Sequence, residues 1–385
     1  MVDDDVRSTA QLAGEMISAG VRRVHVLAWR DLDDPDAGGS EVHADEFMRR
    51  WAAAGLDITH RTSAAIGEPE TATRNGYRVV RRGSRYSVFP RGVGSELVRG
   101  MGNYDALVEV WNGVPWMSPL WCRKPRIAFL HHVHGPMWDQ LLPTPLAGIG
   151  RALEARIAPP FYRNTLTLTP SEGTRLDLLA LRFRPDRVVA VNNGVDDLFR
   201  PGGERSDSPL LVCVGRLAPV KRQDELIEAA VTARQRVPDL QVVIVGEGPL
   251  RPSLEARVAA HGAGEWITFV GRLSHTDLVA VYQRAWLVGS ASLAEGWGLT
   301  ITEAAACGTP AVATDVSGHR SSIVDGVTGV LTSLESLGNT MADVLLDHDR
   351  RARLAEAALA RAKTLTWDAS ARGILQALHS QVRRR

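Results

Sequence analysis

Cysteine is scarce: Cys122, Cys213 and Cys307 are the three in 385 residues, odd in number and far apart. That excludes a disulfide framework and fits a reducing cytosol. Aromatic residues make up 6% of the chain, and no apolar run approaches the ~18 residues of a membrane span, so any membrane contact is expected to be peripheral. Net charge is nearly absent: 45 Lys and Arg against 44 Asp and Glu leave +1, too little for a global field that would draw nucleic acid. The start, MVDDDVRSTA, is acidic and has neither the basic nor the apolar part of a signal peptide, so a cytoplasmic location is expected. Short-period repeats and low-complexity segments are missing too.

What is present is the composition of an ordinary globular protein, 44% hydrophobic and 23% charged. The length exceeds what one core sustains, so two domains of under about 200 residues each are expected. Residues 21–28 (VRRVHVLA) read as a strand and 40–54 as a helix, with Gly38 and Gly39 between them and Ser40 as N-cap. Short apolar runs follow at 56–60, 77–80, 106–111, 126–131, 165–169 and 188–191. Strands interleaved with helical stretches predict a parallel sheet covered on both faces. Residues 200–209 (RPGGERSDSP) have linker composition. A second series follows: strands 210–214, 241–245, 267–270 and 285–290, with helices 220–237, 252–261 and 278–284. The fold class is α/β, with domains at 1–200 and 201–366 and a terminal helix at 367–385. Doubly wound sheets take ligands at the carboxyl ends of their strands, so two facing halves are expected to form a cleft.

Ser292 to Pro310, SLAEGWGLTITEAAACGTP, carries the densest chemistry. Residues 299–307 are helix formers, and Gly308 and Pro310 stop the helix. Eight helical steps separate Glu295 from Glu303 by roughly 12 Å. A retaining glycosidase pair needs about 5 to 5.5 Å. The two acids suit opposite ends of one long ligand. Between them, the N–H groups at Gly298, Leu299 and Thr300 open the helix and favour a phosphate. A sugar diphosphate nucleoside presents sugar hydroxyls, diphosphate and ribose hydroxyls in that order. The competing reading is an amphipathic helix with two solvated Glu.

Arg216 follows the strand 210–214, and Lys221 stands five residues on. Two cations there suit a diphosphate leaving group whose charge grows as its bond breaks; solvated surface cations are the alternative, and Arg222 is read as one. Gly38 and Gly39 let backbone N–H groups approach a ligand, although a tight turn is the commoner meaning. Neither this pair nor Gly246-Glu247-Gly248-Pro249 is a GxGxxG, which sets aside a nicotinamide dehydrogenase. His131, His132 and His134 end a strand, but no partner stands at metal-ligand spacing, so no metal is assigned.

With the Gly pair, the His strand end, Thr169-Pro170-Ser171-Glu172, Asn193-Gly194-Val195-Asp196, Gly215-Arg216 with Lys221, and Glu295 to Glu303, nearly the whole chain resembles the retaining glycosyltransferases of family 4. The resemblance implies the GT-B fold, two facing Rossmann-like domains, and a final helix (from Trp367) returning to the first. It implies that Glu295 contacts the transferred sugar and Glu303 the ribose. Arg216 and Lys221 would bind donor phosphates, Gly38 and Gly39 would face the donor, and one His, first His131 and second His132, would contact the sugar near the reaction centre. Trp297 in place of the Phe often found there, and the His-rich HHVH, put sugar identity in doubt.

Asp31-Leu32-Asp33 matches the short metal motif of GT-A enzymes, but a solvated acidic loop is the preferred reading and transfer without a metal is expected. No cofactor is expected, since the nucleoside diphosphate sugar, UDP- or GDP-linked, is a substrate. The acceptor hydroxyl belongs to a small molecule, glycan or lipid. Seven Arg and one acid, Glu96, from Arg74 to Arg99 suit a phosphorylated acceptor or an anionic lipid surface. In 138–157, Leu141, Leu142, Leu146, Ile149, Leu153 and Ile157 recur with Arg151 and Arg156; core packing is the favoured reading, docking at the inner membrane face the second. The alternative activity is a sugar-nucleotide epimerase on the same scaffold, and the non-enzymatic one a sugar-nucleotide sensor.

Overall fold

The computed structural model describes residues 7–383, apart from the side chains of residues 140 and 141. The acidic start at residues 1–6 and the side chain of Leu141, both read above, lie outside the described residues. The chain forms two units, one reaching Gly194 and resuming at Trp367, the other running from Val195 to Thr366.

In the first unit, among the described residues, eight strands make one sheet. They are β1 (Arg23–Leu27), β2 (Asp57–Thr62), β3 (Thr71–Arg74), β4 (Tyr77–Arg81), β5 (Ala106–Trp111), β6 (Arg126–Leu130), β7 (Leu166–Thr169) and β8 (Val188–Ala190). The order is β3-β4-β2-β1-β5-β6-β7-β8, parallel except for the β3–β4 pair. β5 is buried along its whole length, as a strand covered on both faces must be. One face packs Val24 and Val26 of β1 and Val108 and Val110 of β5 against helices Thr9–Ser18, Gly39–Ala53 and Trp367–Val382. The last of these is fastened to the middle one by Trp51, fully buried, whose Nε1–H donates to Ala371 O at 2.9 Å.

The second unit is a six-stranded parallel sheet of β9 (Leu210–Val214), β10 (Gln241–Val245), β11 (Ile267–Gly271), β12 (Leu287–Ser290), β13 (Ala311–Thr314) and β14 (Gly329–Thr332). Its order, β11-β10-β9-β12-β13-β14, reverses between β9 and β12. The first sheet reverses between β1 and β5. At such a reversal adjacent loops diverge to opposite faces, leaving a crevice at the carboxyl ends. With the second sheet also parallel and Rossmann-like, the chain has the α/β, GT-B fold.

Several expectations change. The stretch 200–209 is pinned to the second unit: Arg205 donates to Thr309 Oγ1 at 2.6 Å and Trp286 Nε1–H to Ser206 O at 2.7 Å. The division falls earlier, where Val195 N–H donates to Leu365 O at 3.0 Å. The helix expected at 220–237 is a 3₁₀ turn, Pro219–Lys221, then Arg222 at φ 47, then helix Gln223–Arg234. Arg222 is half-buried at this reversal. Ser40 is not the N-cap: the helix starts at Gly39, and Glu41 folds back to accept the Gly38 N–H at 2.8 Å.

The acidic run and the arginine run find each other. Asp31 is buried and accepts Arg74 at 2.7 Å and also Arg81; Asp33 accepts Arg81 at 2.8 Å, and Arg85 reaches Asp34 at 3.1 Å and also Asp36. Burial works to raise the Asp31 pKa, but the hydrogen bonds from Arg74 and Arg81 outweigh it and hold the carboxyl below its ordinary range. Asp31 and Asp34 are thus buried and ion-paired rather than solvated, while Asp33 and Asp36 stay partly exposed, and Arg74, Arg81 and Arg85 are committed to the four. Core packing does not describe 138–157 either, because Leu146, Ile149 and Ile157 are exposed. In equilibrium denaturation Asp31→Asn, which removes the buried carboxylate shared by Arg74 and Arg81, should cost about 3–5 kcal/mol, whereas Asp33→Asn at its more exposed site should cost less than ~1 kcal/mol.

Candidate functional site

In the second unit the carboxyl ends of β9 and β12 flank the strand reversal and bring Lys221 and Glu295 into contact. After β9, Gly215 and Arg216 turn the chain, and Gln223 Nε2–H secures the turn by donating to Arg216 O at 2.9 Å. Arg216 is exposed. The glycines of 246–249 serve this turn sterically. A Cβ on Gly246 would lie 2.0 Å from Gly215 O, and one on Gly248 would lie 2.3 Å from Leu217 O. At φ +134 Gly246 also has a backbone that side chains disfavour.

The loop after β12 is tied to the same turn by Leu293 N–H donating to Val220 O at 2.8 Å. Lys221 Nζ hydrogen-bonds Glu295 Oε1, which also accepts the Ser292 hydroxyl at 2.8 Å. Burial works to raise the Glu295 pKa, but the charge of Lys221 and the hydrogen bonds from Lys221 and Ser292 overcome it and hold the carboxyl below its usual range. Glu295 is therefore an anion at neutral pH, with Lys221 its counterion.

Gly298, at φ +95, turns the chain into helix Leu299–Ala306. Ile301 N–H is the first to bond back, to Gly298 O at 3.0 Å, so the N–H groups of Leu299 and Thr300 face out of the helix end. One turn on, Glu303 Oε2 accepts the Tyr282 hydroxyl at 3.0 Å. Desolvation pushes Glu303 up to about 7, with Asp196 adding to the rise and Tyr282 opposing it. The two acids of the motif thus differ: one is a committed anion, the other sits near its titration point at neutral pH.

In the first unit, Gly38 and Gly39 are exposed at the start of helix Gly39–Ala53, and a Cβ on Gly38 would meet only Glu41 Oε2, at 3.8 Å. Asn112, just after β5, donates to Ser40 Oγ at 3.3 Å across the strand reversal. His131 directly follows β6, with its ring 5.0 Å from that of His43 on helix Gly39–Ala53. Both ring nitrogens of His131 lack a hydrogen-bond partner among the described residues. Desolvation lowers its pKa well below the usual value, so it is neutral, with one N–H to donate. His132 stacks on His134 at 4.4 Å. Among the described residues no three His, Cys, Asp or Glu side chains group as metal ligands.

Four contributors escaped the sequence. Gly318 has an ordinary φ, but a Cβ there would stand 2.3 Å from Glu295 O, so only glycine lets the segment close on the Glu295 loop. His319 lies beside Glu295 with its Nδ1 2.7 Å from Thr314 O; desolvation lowers its pKa, which leaves it neutral with the proton on Nδ1. Tyr282 holds Glu303, and a tyrosine in the middle of a helix carries no local signal of that contact. Arg30, 7% exposed, lies over the Trp29 ring at 4.2 Å with its Nε 3.5 Å from Glu41 Oε1. Trp297 is buried and its Nε1–H has no acceptor among the described residues.

Two consequences can be measured. Gly318→Ala should displace the Glu295 loop and destabilise the unit by about 1–3 kcal/mol in denaturant titration. The folded protein holds the Glu303 proton above the ordinary carboxyl value of 4.5, up to about 7, where the unfolded chain has lost it. Stability therefore falls as pH rises through that window. Glu303→Gln should melt higher than the native protein at about pH 8, and the difference should close toward about pH 5.

Residues 37–197 match the family model Glycosyltransferase Family 4, and 195–361 match Glycosyl transferases group 1. The D-inositol 3-phosphate glycosyltransferase of Kribbella flavida is 30% identical, over 93% of this chain and 95% of that protein. A GDP-mannose-dependent alpha-(1-6)-phosphatidylinositol monomannoside mannosyltransferase of Mycolicibacterium smegmatis is also 30% identical, over 74% of this chain and 79% of its own. In architecture the chain is similar to sucrose-phosphate synthase from Thermosynechococcus elongatus, with a TM-score of 0.76 at 21% identity over 92% of this chain and 98% of that one. Sequence, strand order and relatives agree, and the chain belongs to the group 1 (family 4) glycosyltransferases, enzymes of the GT-B fold.

Proposed function

We propose that this glycosyltransferase moves a sugar from a UDP- or GDP-linked donor to an acceptor hydroxyl with retention of configuration and without a metal ion. The observation that carries the donor reading is the Lys221–Glu295 pair beside the outward N–H groups of Leu299 and Thr300, with Glu303 one turn further along. A diphosphate would take hydrogen bonds from those N–H groups and charge from Lys221 and Arg216. These cations would do the work of a divalent metal, stabilising negative charge on the departing diphosphate. Released in part from Lys221, Glu295 would accept a hydrogen bond from a hydroxyl of the transferred sugar. Glu303 would accept the ribose hydroxyls.

The unpartnered ring of His131, with His132 as second choice, would donate to the sugar near the reaction centre, and Gly38 and Gly39 would lie against the donor. Neither glutamate of the motif has the isolation of a covalent nucleophile: Glu295 is engaged by Lys221 and Ser292, and Glu303 by Tyr282. That supports attack on the face from which the diphosphate leaves, the leaving oxygen taking the acceptor proton. Relatives named for inositol 3-phosphate and for a phosphatidylinositol mannoside support a small-molecule or lipid-linked acceptor. Backbone groups near Gly271 would select the base. No cofactor is called for.

Calorimetric titration with UDP and GDP, paired with turnover, separates the roles. Glu303→Ala should weaken nucleotide binding roughly tenfold or more, and the native affinity should improve as pH rises through about 7, where Glu303 ionises. Glu295→Ala should leave nucleotide affinity within a few-fold while lowering kcat by about 10²-fold or more. Near-native behaviour of both variants removes the assignment. Activity lost to a chelator removes metal independence, and conversion of donor without acceptor turns the reading to an epimerase.

A further inference from the structure

Helix Thr144–Ala152, a π-helical turn at Leu153–Ile157 and helix Ala158–Tyr162 form one continuous rod in the first unit. Four large apolar side chains stand out from it: Leu146 is 51% exposed, Ile149 62%, Ile157 48% and Phe161 44%. In an uninterrupted α-helix each step of four residues over-rotates by about 40°, so the three steps from Ile149 to Phe161 would carry these side chains around the rod. The wider π turn takes part of that rotation back, keeping them on one stripe. Arg156 and Arg163 are exposed on the same rod and at its end, and make no ion pair among the described residues. The only acid between residues 142 and 164 is Glu154, and it is turned inward.

We propose that this stripe docks on an anionic phospholipid surface, its apolar side chains in the headgroup–acyl boundary and Arg156 and Arg163 against lipid phosphates. Charge decides between occupants. A second copy meeting this face about a twofold axis would set these arginines against their own kind, with no exposed acid in the segment to neutralise them. The buried Glu154 of the π turn gives the docking a consequence: it accepts His134 N–H at 2.8 Å, Gly135 N–H at 2.9 Å and Trp138 Nε1–H at 3.2 Å. The element resting on lipid would thus also hold the loop that follows His131 and His132. The inference is independent of the donor reading.

Co-sedimentation of the full chain with vesicles of phosphatidylcholine, with and without about 30 mol% phosphatidylglycerol, tests it. Binding should require the anionic lipid and weaken with salt. The double variant Arg156→Ala/Arg163→Ala should bind roughly 30-fold more weakly, and Ile149→Ser/Phe161→Ser should lose binding while retaining the native melting temperature. Leu346→Ser, at an apolar side chain 55% exposed in the second unit, should bind as the native chain does. No sedimentation with anionic vesicles, undiminished binding by the Ser double variant, or a native dimer that this variant dissociates would each overturn the proposal.

Discussion

Glu295 carries negative charge at a largely buried position because a lysine is held against it, and most of the second unit's site follows from that pair. An isolated carboxylate there would take up a proton, since removal from water costs several kcal/mol. The ion pair in turn needs two loops to meet. A backbone hydrogen bond from Leu293 to Val220 brings them together, and the missing side chain of Gly318 allows a third segment to close behind. Lys221 has three donors, so it can serve a phosphate without leaving Glu295 wholly unpaired. On the proposed reading, a site kept neutral in this way would admit a doubly charged ligand group with its own charges already in register.

Glu303 is maintained differently. Its partner is a neutral phenol, so nothing compensates the cost of burying its charge, and it rests near its titration point. Two glutamates of one short motif thereby acquire different chemistry from their surroundings alone. The same principle governs the first unit. Asp31 and Asp33 look like metal ligands when read along the chain, but they are consumed by Arg74 and Arg81 arriving from β3 and β4. His43, whose pKa desolvation lowers to about 3, and His131 are buried rings that stay uncharged for want of compensating partners.

The cations left over are as informative as the paired ones. Once Arg74, Arg81 and Arg85 are assigned to the acidic run, the 74–99 stretch loses much of its apparent basic character. The rod from Thr144 to Tyr162 then carries exposed apolar side chains together with Arg156, which pairs with no acid among the described residues. The π turn in that rod serves two ends, aligning a stripe outward and aiming Glu154 inward at the histidine loop.

Much of this was legible in the chain itself. Strand positions, the helix stop at Gly308 and Pro310, and the family all follow from local propensity and from motifs whose parts lie close in sequence. Apolar periodicity and turn chemistry act over a few residues, and they survive being read in one dimension. What the tertiary structure decided was partnership. Lys221 meets Glu295 across 74 residues, Arg81 meets Asp31 across 50, and Gly318 is a glycine because of a carbonyl it touches only after folding. Coulomb attraction and steric exclusion act through space, over a few ångströms that only the packed chain defines, so the charge state of an acid and the exposure of a leucine are properties of the fold rather than of the string.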